Sequence, residues 1–258
     1  MRIAVLGAGG AAGRACLSEL ETRGHQPIAL GREEPLPVDI DAAILAVPPE
    51  VAQVVESDAL LVDCSGGLPR TTLCLPGVTN PGDVRRLRIP NCTATLIAIA
   101  LVPLRTFGIK SVTATTLQAA SGAGWRGVEA LQAGDTESIF GGVLQGNILP
   151  HERAAEEESE VAEQLHALLD CAAMITAFRV PVRVGHVASI MVETEEPCPN
   201  DLLPDNNLLD PLSLECKDDV ATGRVRIDGL RTSLVACCDQ LHAATAVPAV
   251  NAVLSVHC

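Results

Sequence analysis

Near its beginning the chain reads IAVLGAGGAAG, residues 3–13. Four uninterrupted apolar residues predict a buried parallel strand, and the glycines that follow have the spacing of a turn between a strand and a helix. Such a turn lets backbone N–H groups approach a pyrophosphate at the helix N-terminus. A plain tight turn is the alternative. The residues expected to hold a dinucleotide are Gly7, Gly10, Ala11, Ala12 and Gly13.

Further short apolar strands follow at residues 28–30, 43–47 and 60–64, with a helix predicted from residue 11 to 21. This alternation predicts an α/β Rossmann-type dinucleotide-binding domain over residues 1–90, built on a parallel sheet. Arg32 follows the second strand, where a cationic side chain can meet a ribose 2′-phosphate, which favours NADP. NAD stays open because Glu33 and Glu34 come directly afterwards.

After residue 90 the pattern changes to strands that follow one another, which predicts an α+β catalytic and dimerisation domain over residues 91–238. The C-terminal helix, residues 239–258, is expected to pack back on the first domain, with a kink at Pro248. The other elements expected in the second domain are strands at residues 112–118, 175–184, 188–193, 224–227 and 233–238, and a helix at 156–169.

Composition excludes several classes of function. The 258 residues carry 18 Lys and Arg against 32 Asp and Glu, a net charge of −14, which argues against nucleic-acid binding. The ten cysteines form no CxxC pair and no histidine pair has metal-ligand spacing, so we expect no metal site and a reducing cytoplasm. The uncharged stretches at 89–104 and 240–258 contain Pro and Asn, which favours core elements over a membrane span.

Cys92 stands immediately before a run with helical apolar periodicity. A thiol at a helix N-terminus can have a lowered pKa, as a nucleophilic thiolate requires. A buried, inert cysteine is the alternative from this position alone.

Four separated motifs occur in an order that resembles the aspartate-semialdehyde dehydrogenase family. They are Pro90-Asn91-Cys92-Thr93, then QAASGAG at 118–124, then RVPV at 179–182, and Gly185-His186. The glycine turn, residues 223–226 and residues 238–241 also match, so the resemblance runs nearly from end to end. It implies reversible, NADP-dependent reductive dephosphorylation of L-aspartyl 4-phosphate to L-aspartate 4-semialdehyde, a step of lysine, threonine and methionine biosynthesis, by a homodimer.

The resemblance also implies residue roles. Cys92 would form a thioacyl intermediate, His186 would act as acid and base, and Gln118 would orient the acyl group. Arg179 would bind the substrate α-carboxylate and Glu156 the α-ammonium. Asn91 and Arg70 would hold phosphate. The groups expected beside the nicotinamide are the backbone of Ser121, Gly122 and Gly124 and the amide of Gln240.

The chain also departs from the family pattern. It is shortened in both domains, and Ser159 stands where the family has a phosphate-binding lysine, three residues after the acidic position. A catalytically silent or regulatory paralogue is therefore the alternative function. In addition, Arg179 and His186 lie seven residues apart, about 23 Å along a straight strand. We expect Pro181 and Gly185 to break that strand and bring both residues to one site.

Overall fold

The computed structural model describes residues 1–134, 139–204 and 209–255. The chain divides into two compact units, one formed by Met1–Asn91 with Leu241–Cys258 and the other by Cys92–Gln240. Residues 256–258, the end of the predicted C-terminal helix, lie outside the described part.

The strands are β1 (Ile3–Leu6), β2 (Ile28–Leu30), β3 (Ala42–Leu45), β4 (Leu60–Asp63), β5 (Thr72–Leu73), β6 (Arg86–Arg88), β7 (Ile109–Gln118), β8 (Leu149–Pro150), β9 (Ala172–Arg179), β10 (His186–Thr194), β11 (Ala221–Asp228) and β12 (Arg231–Cys238). The α-helices are α1 (Ala11–Thr22), α2 (Pro49–Ala52), α3 (Cys92–Leu101), α4 (Gly124–Ala133), α5 (Ala154–Leu169) and α6 (Val247–Ser255). Short 3-10 turns cover Val102–Phe107, Ala120–Ala123 and Pro211–Leu214.

The first unit is a parallel sheet in the order β2-β1-β3-β4-β6-β5. Alternate residues of each central strand enter two different apolar clusters, so both faces of the sheet are buried. Cys16 and Leu20 of α1 and Val250 and Val253 of α6 belong to one cluster. The sheet is therefore of the Rossmann type expected from the sequence.

The second unit is a mixed sheet in the order β11-β12-β10-β7-β9-β8. The long strand β7 pairs in parallel with β9 and antiparallel with β10. Burial alternates along these strands, and α3 and α5 pack on the buried face. This is an α+β layer, as the sequence indicates.

Two predicted elements differ from the structure. The strand expected at 175–184 begins at Ala172 and ends at Arg179. The final helix has a π-helical turn, His242–Ala246, followed by α6, with Pro248 as the second residue of α6. Proline lacks the N–H that a helix interior requires, and it is tolerated in the first turn. In the described ranges, no helix has the length and apolar character needed to cross a membrane.

Candidate active site

Three neighbouring strands of the second unit place Gln118, Arg179 and His186 at the same end of the sheet, where β7 and β9 end and β10 begins. Gln118 is the register partner of Arg179, and Leu117 pairs with Val187, the residue after His186. Between Arg179 and His186 the chain leaves the sheet in a six-residue turn, and Gly185 has a φ of 107°. The predicted break in this strand is therefore confirmed.

Arg179 is almost fully buried, with 3% of its surface exposed, and its guanidinium is surrounded by acceptors. Nε and Nη2 donate to the two carboxylate oxygens of Glu152 at 2.9 and 2.8 Å. Nη1 donates to the Gln118 Oε1 at 3.4 Å and to the Ala119 carbonyl at 3.3 Å. The guanidinium also lies 5.7 Å from the centre of the Phe140 ring. The fork is thus held in one orientation by protein groups.

Glu157, rather than Glu156, is the carboxylate that joins this cluster. The Gln118 Nε2 donates to the Glu157 Oε1 at 2.9 Å, and Glu157 is 7% exposed. Glu156 is exposed because each residue turns a helix by about 100°, so neighbours in α5 face different directions. Glu156 therefore lies outside this cluster, and its contact with the substrate ammonium stays a prediction. The position three residues after Glu157 is Glu160, again not a lysine, while Ser159 donates to Glu163 at 3.1 Å.

His186 is buried and neutral. The backbone N–H of Ala119 donates to its Nδ1 at 3.2 Å, which leaves the ring proton on Nε2. Nε2 has no hydrogen-bond partner among the described residues. Burial, followed by the Arg179 charge, lowers the pKa of His186 to about 3. The free Nε2–H is thus placed to donate a hydrogen bond to a ligand.

Cys92 is the first residue of α3, but its pKa is raised to about 12. Burial is the largest cause and the Glu157 charge adds to it. Arg179 and the hydrogen bonds from Thr93 at the helix N-terminus lower the pKa by less. The expected lowering is therefore wrong: the helix N-terminus does favour the thiolate, and desolvation outweighs it.

Hydrogen bonds join the turn after β7 to the turn before β10 and to Gln240, which follows β12. Ala120 N–H donates to the Val182 carbonyl at 2.9 Å, and the Gln240 Nε2 donates to the Ser121 Oγ at 2.5 Å. The Gln240 Oε1 accepts from Gly185 N–H at 2.9 Å. The side chains of Ser121 and Gln240 therefore brace the turn on either side.

Gly122 lies against the Arg179 guanidinium and the His186 ring, with no space for a side chain. A Cβ there would lie 2.6 Å from the Arg179 Nη1 and 3.3 Å from the His186 Nε2. Any side chain would displace one of them. Gly124, two residues later, has a φ of 72° and open space around it.

The glycine turn lies in the first unit. Gly7 has a φ of 86°, and a Cβ there would lie 2.3 Å from the Ala46 carbonyl oxygen. A Cβ at Gly13 would lie 2.1 Å from the Gly7 carbonyl oxygen, so only glycine allows this helix to start so close to the strand. Gly10 precedes α1, and no side chain caps the helix. The first-turn N–H groups of Ala11 and Ala12 are thus suited to an anionic oxygen.

The remaining predicted residues also belong to the first unit. Arg32 is exposed and pairs weakly with Glu33 at 3.4 Å. The Glu34 carboxylate accepts from the Gly31 N–H directly after β2. Arg70 is exposed, with a φ of 59°. Asn91 is partly buried and is the last residue of its segment of that unit.

Sequence reasoning missed Glu152, Glu157, His151 and Phe140. Glu157 could have been found as a member of the acidic run by placing the buried face of α5 with Val161 and Leu165. No local signal marks Glu152, because its position depends on the pairing of β8 with β9, which sets Leu149 opposite Arg179.

The comparisons with known proteins agree with this architecture. Residues 101–202 match the family described as "Semialdehyde dehydrogenase, dimerisation domain". An aspartate-semialdehyde dehydrogenase of Prochlorococcus marinus is 31% identical over 238 residues, covering 75% of this chain and 69% of the relative. The chain therefore belongs to the aspartate-semialdehyde dehydrogenase family.

Solved structures show the same fold. The aspartate semialdehyde dehydrogenase II of Vibrio cholerae, complexed with ASA, has a TM-score of 0.85 at 20% identity and covers 99% of this chain and 97% of its own. The aspartate semialdehyde dehydrogenase of Candida albicans with NADP has a TM-score of 0.73 at 18% identity, covering 99% and 97%.

Proposed function

We propose that the chain is an NADP-dependent aspartate-semialdehyde dehydrogenase that interconverts L-aspartate 4-semialdehyde and L-aspartyl 4-phosphate through a thioacyl group on Cys92. The reaction would serve lysine, threonine and methionine biosynthesis. The observation that carries the proposal is the convergence of Gln118, Arg179 and His186 at the end of three adjacent strands, with Cys92 within electrostatic range of Arg179.

Cys92 is the proposed nucleophile. Its sulfur would bond to the aldehyde carbon while the thiol proton passes to the aldehyde oxygen, because the thiol is protonated beforehand, and the product would be a hemithioacetal. The hemithioacetal would then give the thioester by losing its carbon-bound hydrogen as hydride to NADP⁺ and its hydroxyl proton to solvent. Phosphate would attack the thioester carbon, and the sulfur of Cys92 would leave and take up a proton to restore the thiol. Sulfur is both a good nucleophile and a good leaving group, which suits both steps.

His186 would hydrogen-bond the oxygen of the reacting carbonyl, because its Nε2–H has no acceptor among the described residues. The acid and base role that the family resemblance implies for His186 stays a prediction, since burial lowers the pKa of the ring to about 3 and makes it a weak base. Gln118 would hold the acyl group, and it is itself held by Arg179 and Glu157. The substrate carboxylate would bind Arg179, whose planar fork matches two carboxylate oxygens.

The glycine turn fits a dinucleotide. Gly7 and Gly13 allow the tight turn from β1 into α1, where the chain packs against the carbonyl oxygens of Ala46 and Gly7. The N–H groups of Ala11 and Ala12 at the uncapped start of α1 are suited to a pyrophosphate. The backbone of Ser121, Gly122 and Gly124 and the amide of Gln240 remain the groups proposed to adjoin the nicotinamide. When bound, the cofactor supplies the hydride acceptor and donor for the reaction.

Cofactor preference depends on opposing charges after β2. We expect Arg32→Glu to weaken NADP binding by several-fold to about a hundredfold, because a charge-assisted contact contributes roughly 1.5–3 kcal/mol. NAD binding should change much less. Glu34→Gln should strengthen NADP binding, since it removes a carboxylate from the same turn. Fluorescence titration with both cofactors measures these changes. Equal losses of both cofactors in Arg32→Glu would show that Arg32 does not contact the 2′-phosphate.

Phosphate would be held by Asn91 and Arg70, as the family resemblance implies. The lysine that the family places three residues after its acidic residue is missing, whether counted from Glu156 or from Glu157. We therefore expect a weaker phosphate site than in longer relatives, with the cysteine chemistry less affected.

Dimerisation is supported by one face of the second sheet. Thr113 of β7 lies opposite Met174 of β9 and Met191 of β10, and both methionines are exposed, at 71% and 55%. Two exposed methionines on either side of an exposed threonine, in one row across three strands, are typical of an interaction surface. We propose a homodimer through this face.

A catalytically silent paralogue is the second candidate, and two observations favour it. Arg179 already binds the Glu152 carboxylate, and Cys92 has a raised pKa. Gln118, Arg179 and His186 meet in one cluster, and Cys92 lies within electrostatic range of Arg179. Retention of these four residues favours the enzyme over the silent paralogue.

The deciding experiment is an assay of purified protein with L-aspartate 4-semialdehyde, phosphate and NADP⁺. We expect NADPH to form, followed at its absorbance, only when all three are present. A protein that binds NADP in a titration and gives no turnover at any phosphate concentration would be the silent paralogue.

A further inference from the structure

The contact between Glu152 and Arg179 has a consequence for substrate choice. We propose that Glu152 is a specificity-determining residue that admits α-amino acid substrates and disfavours acids that lack the ammonium group. The inference rests on the proposed function, because it takes Arg179 as the group that binds the substrate carboxylate.

Arg179 has little capacity for a further ligand while Glu152 is bound. It makes four hydrogen bonds to protein acceptors, and both oxygens of Glu152 are used in a bidentate pair. A substrate carboxylate that needs the same fork must therefore displace Glu152. Removing one member of such a pair from its partner is costly unless each charge finds a new partner.

A zwitterion supplies both new partners. Its carboxylate can take the place of Glu152 on Arg179, and its ammonium can pair with the released Glu152. One ion pair is thus exchanged for two. A ligand that carries only carboxylate groups forms a new ion pair with Arg179 but leaves Glu152 without a cation.

The surrounding charges strengthen this discrimination. Arg179 is the buried cation of the cluster, bonded to Glu152 directly and to Glu157 through Gln118. Arg153 is exposed and acts on His151 only through its charge. His151 lies 3.8 Å from the Glu152 carboxylate, and burial lowers its pKa, so it adds no positive charge at neutral pH. His186 is neutral as well. Neither histidine therefore offers Glu152 a cation at neutral pH once a substrate carboxylate occupies Arg179.

Glu152 has room to leave its position. It follows the short strand β8 and its side chain is 17% exposed, whereas the Arg179 side chain is 4% exposed. Glu157 is fixed within α5 and bonded to Gln118. Glu152 is therefore the carboxylate of the two that can turn outward and return.

The experiment compares Glu152→Gln with the wild type on aspartate semialdehyde and on succinate semialdehyde, which lacks the ammonium. We expect the ratio of the two kcat/KM values to fall at least tenfold in Glu152→Gln, mainly through a lower KM for succinate semialdehyde. Calorimetry with L-aspartate and succinate should show the same change in relative affinity. Glu152→Asp keeps the charge and should retain most of the discrimination. Glu163→Gln removes an exposed carboxylate from α5 and is the matched control.

Two outcomes would overturn the proposal. An unchanged ratio in Glu152→Gln, equal to that of Glu163→Gln, would show that Glu152 does not select substrates. A rise of KM for both semialdehydes by the same factor would show that Glu152 only orients Arg179. Calorimetry separates this inference from the proposed function. If the wild type shows no turnover but prefers L-aspartate to succinate, and Glu152→Gln loses that preference, only the proposed enzyme activity is refuted. A wild type that binds neither ligand refutes the inference.

Discussion

Replacing Cys92 by serine is expected to reduce turnover at least ~10³-fold, because a hydroxyl needs a stronger base than the thiol does before it can attack a carbonyl. His186, with a pKa of about 3, is too weak a base to activate a hydroxyl. NADP binding should stay within about twofold of the wild type, since the glycine turn belongs to the other unit. Steady-state rates and cofactor titration provide the two readings.

Cys216→Ser is the matched control for this substitution. Cys216 is exposed in the second unit, and the same exchange of sulfur for oxygen there should leave the rate unchanged. Activity of Cys92→Ser within tenfold of the wild type would remove Cys92 from the proposed chemistry.

The second large effect concerns acid stability. The folded protein holds the pKa of His186 at about 3, below the ordinary value of 6.5. Between these values the unfolded chain binds a proton that the folded chain does not bind. Stability therefore falls as pH drops from above 6.5 towards 3, and the loss from this residue is complete below 3.

His186→Gln removes the titrating ring while keeping a side-chain acceptor for the Ala119 N–H. Between pH 8 and pH 5 the wild type should lose ~2 kcal/mol more unfolding free energy than the variant, from one proton at about 1.4 kcal/mol per pH unit. Urea unfolding of both proteins at each pH measures the difference. Parallel losses in the two proteins would show that His186 is not kept neutral by folding.

The fold could be predicted from the sequence because the patterns that indicate its main strands and helices involve residues close together in the chain. Uninterrupted apolar strands and the turn of Gly7 and Gly13 are specified by neighbouring residues, and the long helix α5 by its apolar period. The weak elements were missed for the same reason: β5 and β8 are two residues long, and only their partners define them.

Part of the candidate active site could be predicted from the sequence. The residue types at 92, 118, 179 and 186 pointed to one chemistry, and strand pairing explains why three of them meet. Sequence spacing does not fix the rotation of α5, so it could not show that Glu157, and not Glu156, faces Gln118. The ionisation of Cys92 was misjudged because a helix N-terminus is visible in the sequence and desolvation is not.

The first unit is assembled from both ends of the chain. Ala246, Ala249 and Val250 complete a core that also contains Cys16 and Leu20. The second unit is one continuous segment, Cys92–Gln240, whereas the first unit is complete only when residues beyond Gln240 are present. A chain cut after Gln240 would keep the second unit whole and uncover the apolar face of the first sheet on which Ala249 and Val250 pack, a surface prone to aggregation.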